Sequence, residues 1–291
     1  MNNNMTTKFK EILLRTMKAF DAFCQKNNIK YVAAYGTVIG AIRHQGMIPW
    51  DDDIDVFMDW ENYNRFLALR EEAKAIDYRI IDRHDHGYYL PMAKFVDTKT
   101  TIWEHKKYPF TYGVYIDIFP LGYANDKNCA RQIYQNYVYH SICLTRAYAR
   151  YSFSYADIKH IMRHPINVVY EYLARTSIDN EIMALDELDK IISNIKDGKF
   201  RIYYRSMDSF DKSLFKSEWF SDSIRVPFED FEISVPSGYH DYLSTVYGDY
   251  MAPPPPSKQV SHHSHYYLNL NESLCIDEIK KRISKGEKLV Y

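Results

Sequence analysis

Only four cysteines occur in the 291 residues, Cys24, Cys129, Cys143 and Cys275, and no two of them lie close together. That scatter argues against both a disulfide framework and a thiolate zinc site, leaving buried small hydrophobes in a reducing cytoplasm as the expectation. Charge of one sign is lacking too. Lysine and arginine total 37 against 38 acidic residues, so a net charge of −1 gives no global field to hold a polyanion, and nucleic acid is not expected as the main partner. Long uncharged apolar runs are absent, so no segment is expected to span a bilayer, and peripheral contact with the inner face of the membrane is left open. The polar start, Met1 to Thr7, and the charged stretch from Lys8 to Asn27 do not read as a secretion signal. Internal repeats are absent as well.

What is present is an ordinary globular balance, 46% hydrophobic and 26% charged, enough for one large domain or two small ones. Tyrosine is abundant at 27 residues, with Tyr134, Tyr137, Tyr139, Tyr148, Tyr151 and Tyr155 in one stretch. The first reading of that stretch is core and helix packing with wet hydroxyl tips; the second is an aromatic wall for a sugar or a quaternary ammonium.

Periodicity predicts an α+β fold. Phe9, Ile12, Leu13, Thr16, Phe20 and Phe23 mark a helix over 8–26. A strand over 31–35 runs into a turn at Gly36, a short helix follows from Thr37, and a strand over 54–58 comes next. A helix over 61–75 and strands over 78–82, 90–97, 100–103 and 112–119 complete a mixed sheet with flanking helices. From 126 to 196 the signals are mainly helical. Strands return at 201–206 and 224–235, the latter with a hairpin at Glu229 and Asp230. A helix over 239–247 stops at Gly248 ahead of Pro253 to Pro256. The expected division is a catalytic core over 1–125, a mainly helical region over 126–220, and a C-terminal segment over 221–291 that packs back on the core.

The chemistry concentrates between Tyr31 and Met58. Asp53 and Asp55 flank Ile54, so in a strand they share a face while Ile54, Val56 and Met58 require burial. Adjacent carboxylates repel and raise one another's pKa; a divalent cation removes that cost, and magnesium favours one or two carboxylates plus substrate phosphates. A solvated acidic turn over Asp51, Asp52 and Asp53 is the plainer alternative. Asp117 is a lone acid in the apolar strand Val114 to Pro120, explained either by a core salt bridge or by completion of a three-carboxylate metal site with Asp53 and Asp55. In that site it would ligate a second ion or act as base toward an attacking hydroxyl. Gly36 and Thr37 form a turn suited to close approach of a phosphate, and Arg43 is suited to bidentate phosphate contact. Lys94, inside an apolar strand, either reaches the substrate or pairs with an aspartate.

The run Gly36 to His44, followed by Ile48-Pro49-Trp50-Asp51-Asp52-Asp53-Ile54-Asp55, resembles the signature of the LicD family, which includes bacterial phosphocholine transferases and is related to the fukutin proteins. Tyr115 to Leu121 and the blocks from Val235 to the prolines after Met251 are similar as well. The resemblance implies a nucleotidyltransferase-like fold, with Asp53, Asp55 and Asp117 on magnesium or, in its place, manganese. It implies Gly36, Thr37 and Arg43 on the diphosphate of a CDP-linked donor, and Asp51 orienting a ligand from behind. The implied reaction moves phosphocholine, or a related phosphorylated headgroup, to a hydroxyl of a cell-surface glycan precursor. His262, His263 and His265 resemble a histidine-containing tail of that family and are expected to be a flexible or substrate-contacting segment. An Asp-x-Asp glycosyltransferase and a non-catalytic glycan-binding module are the rival readings; oligomeric state is not legible.

Overall fold

The computed structural model describes residues 3–149, 162–163, 165–166, 178–204, 209–261, 263 and 265–287. Its centre is a mixed sheet built from β1 (Val32–Ala33), β2 (Asp55–Asp59), β3 (Tyr78–Ile81), β4 (Ala93–Asp97) and β6 (Tyr115–Ala124), in the order β1-β2-β6-β4-β3. Between β4 and β6 lies the short strand β5 (Thr101–Trp103), which pairs elsewhere. The fold is α+β, as the alternating patterns predict.

The innermost strands are buried on both faces, which is why they read as nearly continuous apolar runs: all five residues of β4 and nine of the ten in β6 are buried. β2 and β6 are parallel neighbours, whereas β1–β2, β3–β4 and β4–β6 are antiparallel. The long helix α1 (Asn3–Lys26) buries Phe9, Ile12, Leu13, Phe20 and Phe23 against this sheet, at the helical spacing seen in the sequence.

Several boundaries differ from expectation for identifiable reasons. The strand expected over 112–119 begins at Tyr115 and continues through Pro120 to Ala124. On one side of it, β4 pairs with 115–118 and β7 (Phe200–Tyr203) with 121–124, so Pro120 falls in the gap where the ladder is already interrupted. The helix expected over 61–75 is two helices, α3 (Trp60–Leu67) and α4 (Arg70–Lys74), separated at Ala68 and Leu69. Asp59 caps the first by accepting the Asn62 N–H at 2.8 Å.

Within 126–220, helix α5 (Lys127–Tyr148) packs on α6 (Ile178–Ser193). β7 and β8 (Leu214–Lys216) extend the central sheet from β6, so this stretch contributes strands to the core as well as helices. Further on, β9 (Ser223–Phe228) and β10 (Phe231–Pro236) form the expected hairpin, turning at Glu229 with φ 56°, and it packs beside β1. The helix Tyr239–Tyr247 stops at Gly248, φ 72°. β11 (Tyr267–Asn269) pairs antiparallel with β5. No helix among the described residues is long and apolar enough to cross a membrane.

Candidate active site

Parallel pairing of β2 with β6 sets Asp55 directly beside Asp117, and antiparallel pairing of β4 with β6 sets Lys94 on the other side of the same aspartate. Partnered residues project from the same face, so Asp55, Asp117 and Lys94 form one row across three strands. The Asp117 N–H donates to the Ile54 carbonyl at 3.0 Å, fixing that register at the entrance to β2. Asp53 lies two residues before β2, near enough for its charge to bear on both Asp51 and Asp117.

The turn ahead of β2 holds it in place. Thr37 is buried, and its hydroxyl accepts the Asp55 N–H at 2.9 Å. The amides of Thr37 and Val38 donate to the Ala34 carbonyl, and the Tyr35 N–H donates to the Tyr242 hydroxyl at 3.0 Å. The N–H groups of Tyr35, Thr37 and Val38 are therefore used inside the protein. Gly36 faces the carboxylate of Asp51: a Cβ there would stand 2.8 Å from Oδ2. The strand expected over 31–35 is shortened to β1 because Tyr35, φ 45°, already starts helix α2 (Tyr35–Ile39).

Arg43 lies in a single widened turn, Gly40–His44. Its Nη1 donates to the Tyr250 carbonyl at 2.6 Å and its Nε to His44 Nε2 at 3.0 Å, so part of its fork ties the acid loop to the C-terminal segment. From the same segment, Glu229 donates its N–H to Gln45 O at 2.7 Å and accepts the Met47 N–H at 3.0 Å.

Lys94 is 1% exposed, and its Nζ lies 2.5 Å from Asp117 Oδ1, the ion-pair alternative left open on sequence. The ammonium also sits 3.4 Å from the centre of the Tyr115 ring and 5.4 Å from that of Tyr112. Two aromatic rings here thus flank a lysine. Of the tyrosines in the helical stretch, Tyr134 and Tyr137 are buried against Tyr204 and Phe210, whereas Tyr139 is exposed; Tyr151 and Tyr155 lie outside the described residues.

Electrostatics mark the site as overfull with negative charge. Burial and the neighbouring Asp53 and Asp52 push the Asp51 carboxyl up to about 7. Burial also raises Asp117, which Lys94 only partly offsets, and the charges of Glu104 and Asp53 raise it further. Glu104 goes the other way: burial opposes its ionisation, but the Lys94 charge and the surrounding phenols hold its carboxyl down to about 2. It accepts from Tyr115 at 2.7 Å and from Tyr89 at 2.8 Å.

Glu104 and Lys10 escaped the sequence reading, and Asp52 was read only as part of an acidic turn and a motif, with no role of its own. Glu104 follows a short strand, and its phenol partners stand 11 and 15 residues away. Lys10, from α1, reaches the Pro49 carbonyl beside the acid loop. Asp52 accepts from Ser261 Oγ, from the His263 N–H at 3.3 Å and from His263 Nδ1 at 2.9 Å. That bond to Asp52 raises the His263 imidazole to about 9 against the opposing effect of burial, with the Asp53, Asp52 and Asp117 charges adding to the rise. The histidine segment is therefore anchored at His263, and His265 is buried beside Phe9, which corrects the expectation of a flexible tail at those two residues. His262 lies outside the described residues.

Acids gathered in one place, with Asp51 and Asp117 pushed up by burial and by neighbouring carboxylates, suit a hard divalent cation, which takes oxygen donors and relieves the mutual repulsion. The residues present fit such an ion in two neighbouring sets: Asp52, Asp53 and His263 each place one ligand atom within 4.8 Å of the others, and Asp55 and Asp117 stand side by side on β2 and β6.

Residues 28–166, which include Asp53, Asp55, Lys94 and Asp117, match the family model described as LicD/FKTN/FKRP, nucleotidyltransferase domain. Residues 28–166 thus carry a LicD-family domain. Over 263 residues it is 28% identical to the lipopolysaccharide cholinephosphotransferase LicD of Haemophilus influenzae, an overlap that takes in 87% of this chain and 93% of that protein. An uncharacterized protein of Rickettsia typhi is 35% identical over 108 residues, 37% of this chain and 33% of that protein. A Rickettsia prowazekii protein is 30% identical over 114 residues, 39% of this chain and 42% of that one.

Proposed function

We propose that this protein transfers phosphocholine from CDP-choline to a hydroxyl of a lipopolysaccharide-type glycan precursor. The observation that carries the reading is the side-by-side placement of Asp55 and Asp117 on parallel strands, with Asp53 at the head of the first. Similarity to the Haemophilus influenzae cholinephosphotransferase over nearly its whole length supports the choice of donor headgroup and acceptor class.

In this reading Asp53 and Asp55 hold Mg2+ or Mn2+, which when bound supplies positive charge against the donor diphosphate. Arg43 contributes the part of its guanidinium that Tyr250 and His44 leave over, and Gly36 keeps the wall beside Asp51 thin. Asp117, with its carboxyl pKa raised by burial, takes the proton of the attacking hydroxyl. The acceptor oxygen bonds to the choline-bearing phosphorus, the bond from that phosphorus to the bridging oxygen breaks, and cytidine monophosphate leaves. Positioning and charge stabilisation account for most of such a rate, so Asp53→Asn is expected to reduce turnover by roughly three orders of magnitude or more with the fold intact.

A screen of CDP-choline, CDP-ribitol and CDP-glycerol, read by cytidine monophosphate release in the presence of Mg2+ or Mn2+, tests the donor. Preference for CDP-choline that disappears in the Asp53→Asn variant is the expected result. Release that is indifferent to the metal, or that survives the substitution, contradicts the reading.

A further inference from the structure

The histidine tail places one imidazole at the acids. Asp52 receives Ser261 Oγ, the His263 N–H and His263 Nδ1, so the ring is held on one side and its orientation is set. Its other nitrogen, Nε2, then lies 3.8 Å from Asp53 Oδ2. At that distance the two atoms do not make a hydrogen bond. One ligand atom from each of Asp52, Asp53 and His263 lies within 4.8 Å of the others. Two donors each about 2.1 Å from a shared ion stand roughly 3 to 4 Å apart, so an ion between Asp53 and His263 Nε2 requires little movement.

The surroundings keep the ring where it is. Histidines that ligate metals commonly give their second ring nitrogen to a carboxylate, which fixes tautomer and direction, and Asp52 stands in that relation to His263. Two residues on, His265 is 4% exposed, packs on Phe9 with ring centres 5.6 Å apart, and has no partner for either ring nitrogen among the described residues. Beyond it, Tyr267 enters the pairing of β11 with β5. The segment carrying His263 is therefore pinned at Asp52 on one side and at β5 on the other.

We propose that His263 is a ligand of the divalent ion through Nε2, that Asp52 is the residue that positions it, and that the site prefers a transition ion such as Mn2+ to Mg2+. The inference rests on the reading that Asp53 binds a divalent cation. Carboxylates alone favour magnesium, calcium and manganese; an imidazole adds affinity for transition ions but little for magnesium. The C-terminal tail is then part of the metal site, and ion binding and tail docking strengthen each other by the same factor.

The test uses the full chain with MnCl2 as the probe, following free Mn2+ by electron paramagnetic resonance and the bound ion by pulsed measurement of nitrogen coupling. Wild-type protein is expected to show the coupling of a directly bound imidazole nitrogen. His263→Gln is expected to lose that coupling and to bind Mn2+ about 10- to 100-fold more weakly, with a smaller change for competing Mg2+. Asp52→Asn is expected to weaken Mn2+ binding by roughly 10-fold while keeping the coupling. Bound Mn2+ without nitrogen coupling in the wild-type protein overturns the inference whether or not any variant folds. An unchanged Mn2+ to Mg2+ preference in folded His263→Gln does the same, while the metal reading stands if Asp53→Asn abolishes binding. Wild-type protein that binds no Mn2+, or Asp53→Asn that binds it normally, overturns both.

Discussion

Asp117 is asked to be buried, charged and close to other acids at once, and Lys94 is what makes that tolerable. Removing one partner of a buried pair leaves the other charge uncompensated, a loss of about 3–5 kcal/mol. Lys94→Met is expected to destabilise by that order in chemical denaturation, and Lys94→Met combined with Asp117→Asn to recover a large part of it. Glu104 gives a pH signature. Its carboxyl sits at about 2 in the folded protein against 4.5 for an unperturbed glutamate, so its contribution is fully present above pH 4.5 and is lost as pH falls toward 2. The contribution is about 3 kcal/mol, and Glu104→Gln is expected to flatten the acid limb of a stability–pH profile by that order. Asp53, Asp55 and Asp117 were legible because acids in or beside apolar strands are costly and demand a reason. Whether Lys94 served Asp117 or a substrate was not, since the choice depends on which strand lies beside β6.

At the scale of elements, the loop from Gln45 to Ile54 determines where the acids point, and it is held by backbone contacts. A Cβ on Gly40 would lie 2.5 Å from the Gly46 carbonyl oxygen and 3.3 Å from the Ile48 nitrogen, so backbone would have to move. Gly40→Ala is expected to cost about 1–3 kcal/mol in denaturant unfolding and to weaken Mn2+ binding by displacing Asp53. Strong periodicity made α1, the helix Tyr239–Tyr247 and the β9–β10 hairpin readable in advance. The failures came where distant contacts override local pattern: Tyr35 leaves the strand early with its N–H on the Tyr242 hydroxyl, 207 residues away. Pro120 stays inside a strand because its two antiparallel neighbours happen to meet there.

At the scale of the whole molecule, three stretches far apart in the chain meet at one place: the loop before β2, the start of β6 and the tail around His263. The first two were expected to converge because each carried an acid that needed company. The third was expected only in outline, as a C-terminal segment packing on the core with histidines either flexible or touching substrate, because a run of polar residues after four prolines gives no sign of where it docks. β7 falls at the strand expected from 201, but β8, which extends the sheet beyond it, was not read, its three residues being too few for a clear alternation. The central claim, that these acids carry a divalent ion for a nucleotide-linked donor, is tested most directly by calorimetry of CDP-choline binding with and without Mg2+ or Mn2+. Binding that requires the metal in the wild-type protein and disappears in Asp53→Asn is the result predicted; binding of equal strength without metal, or none under either condition, would contradict it.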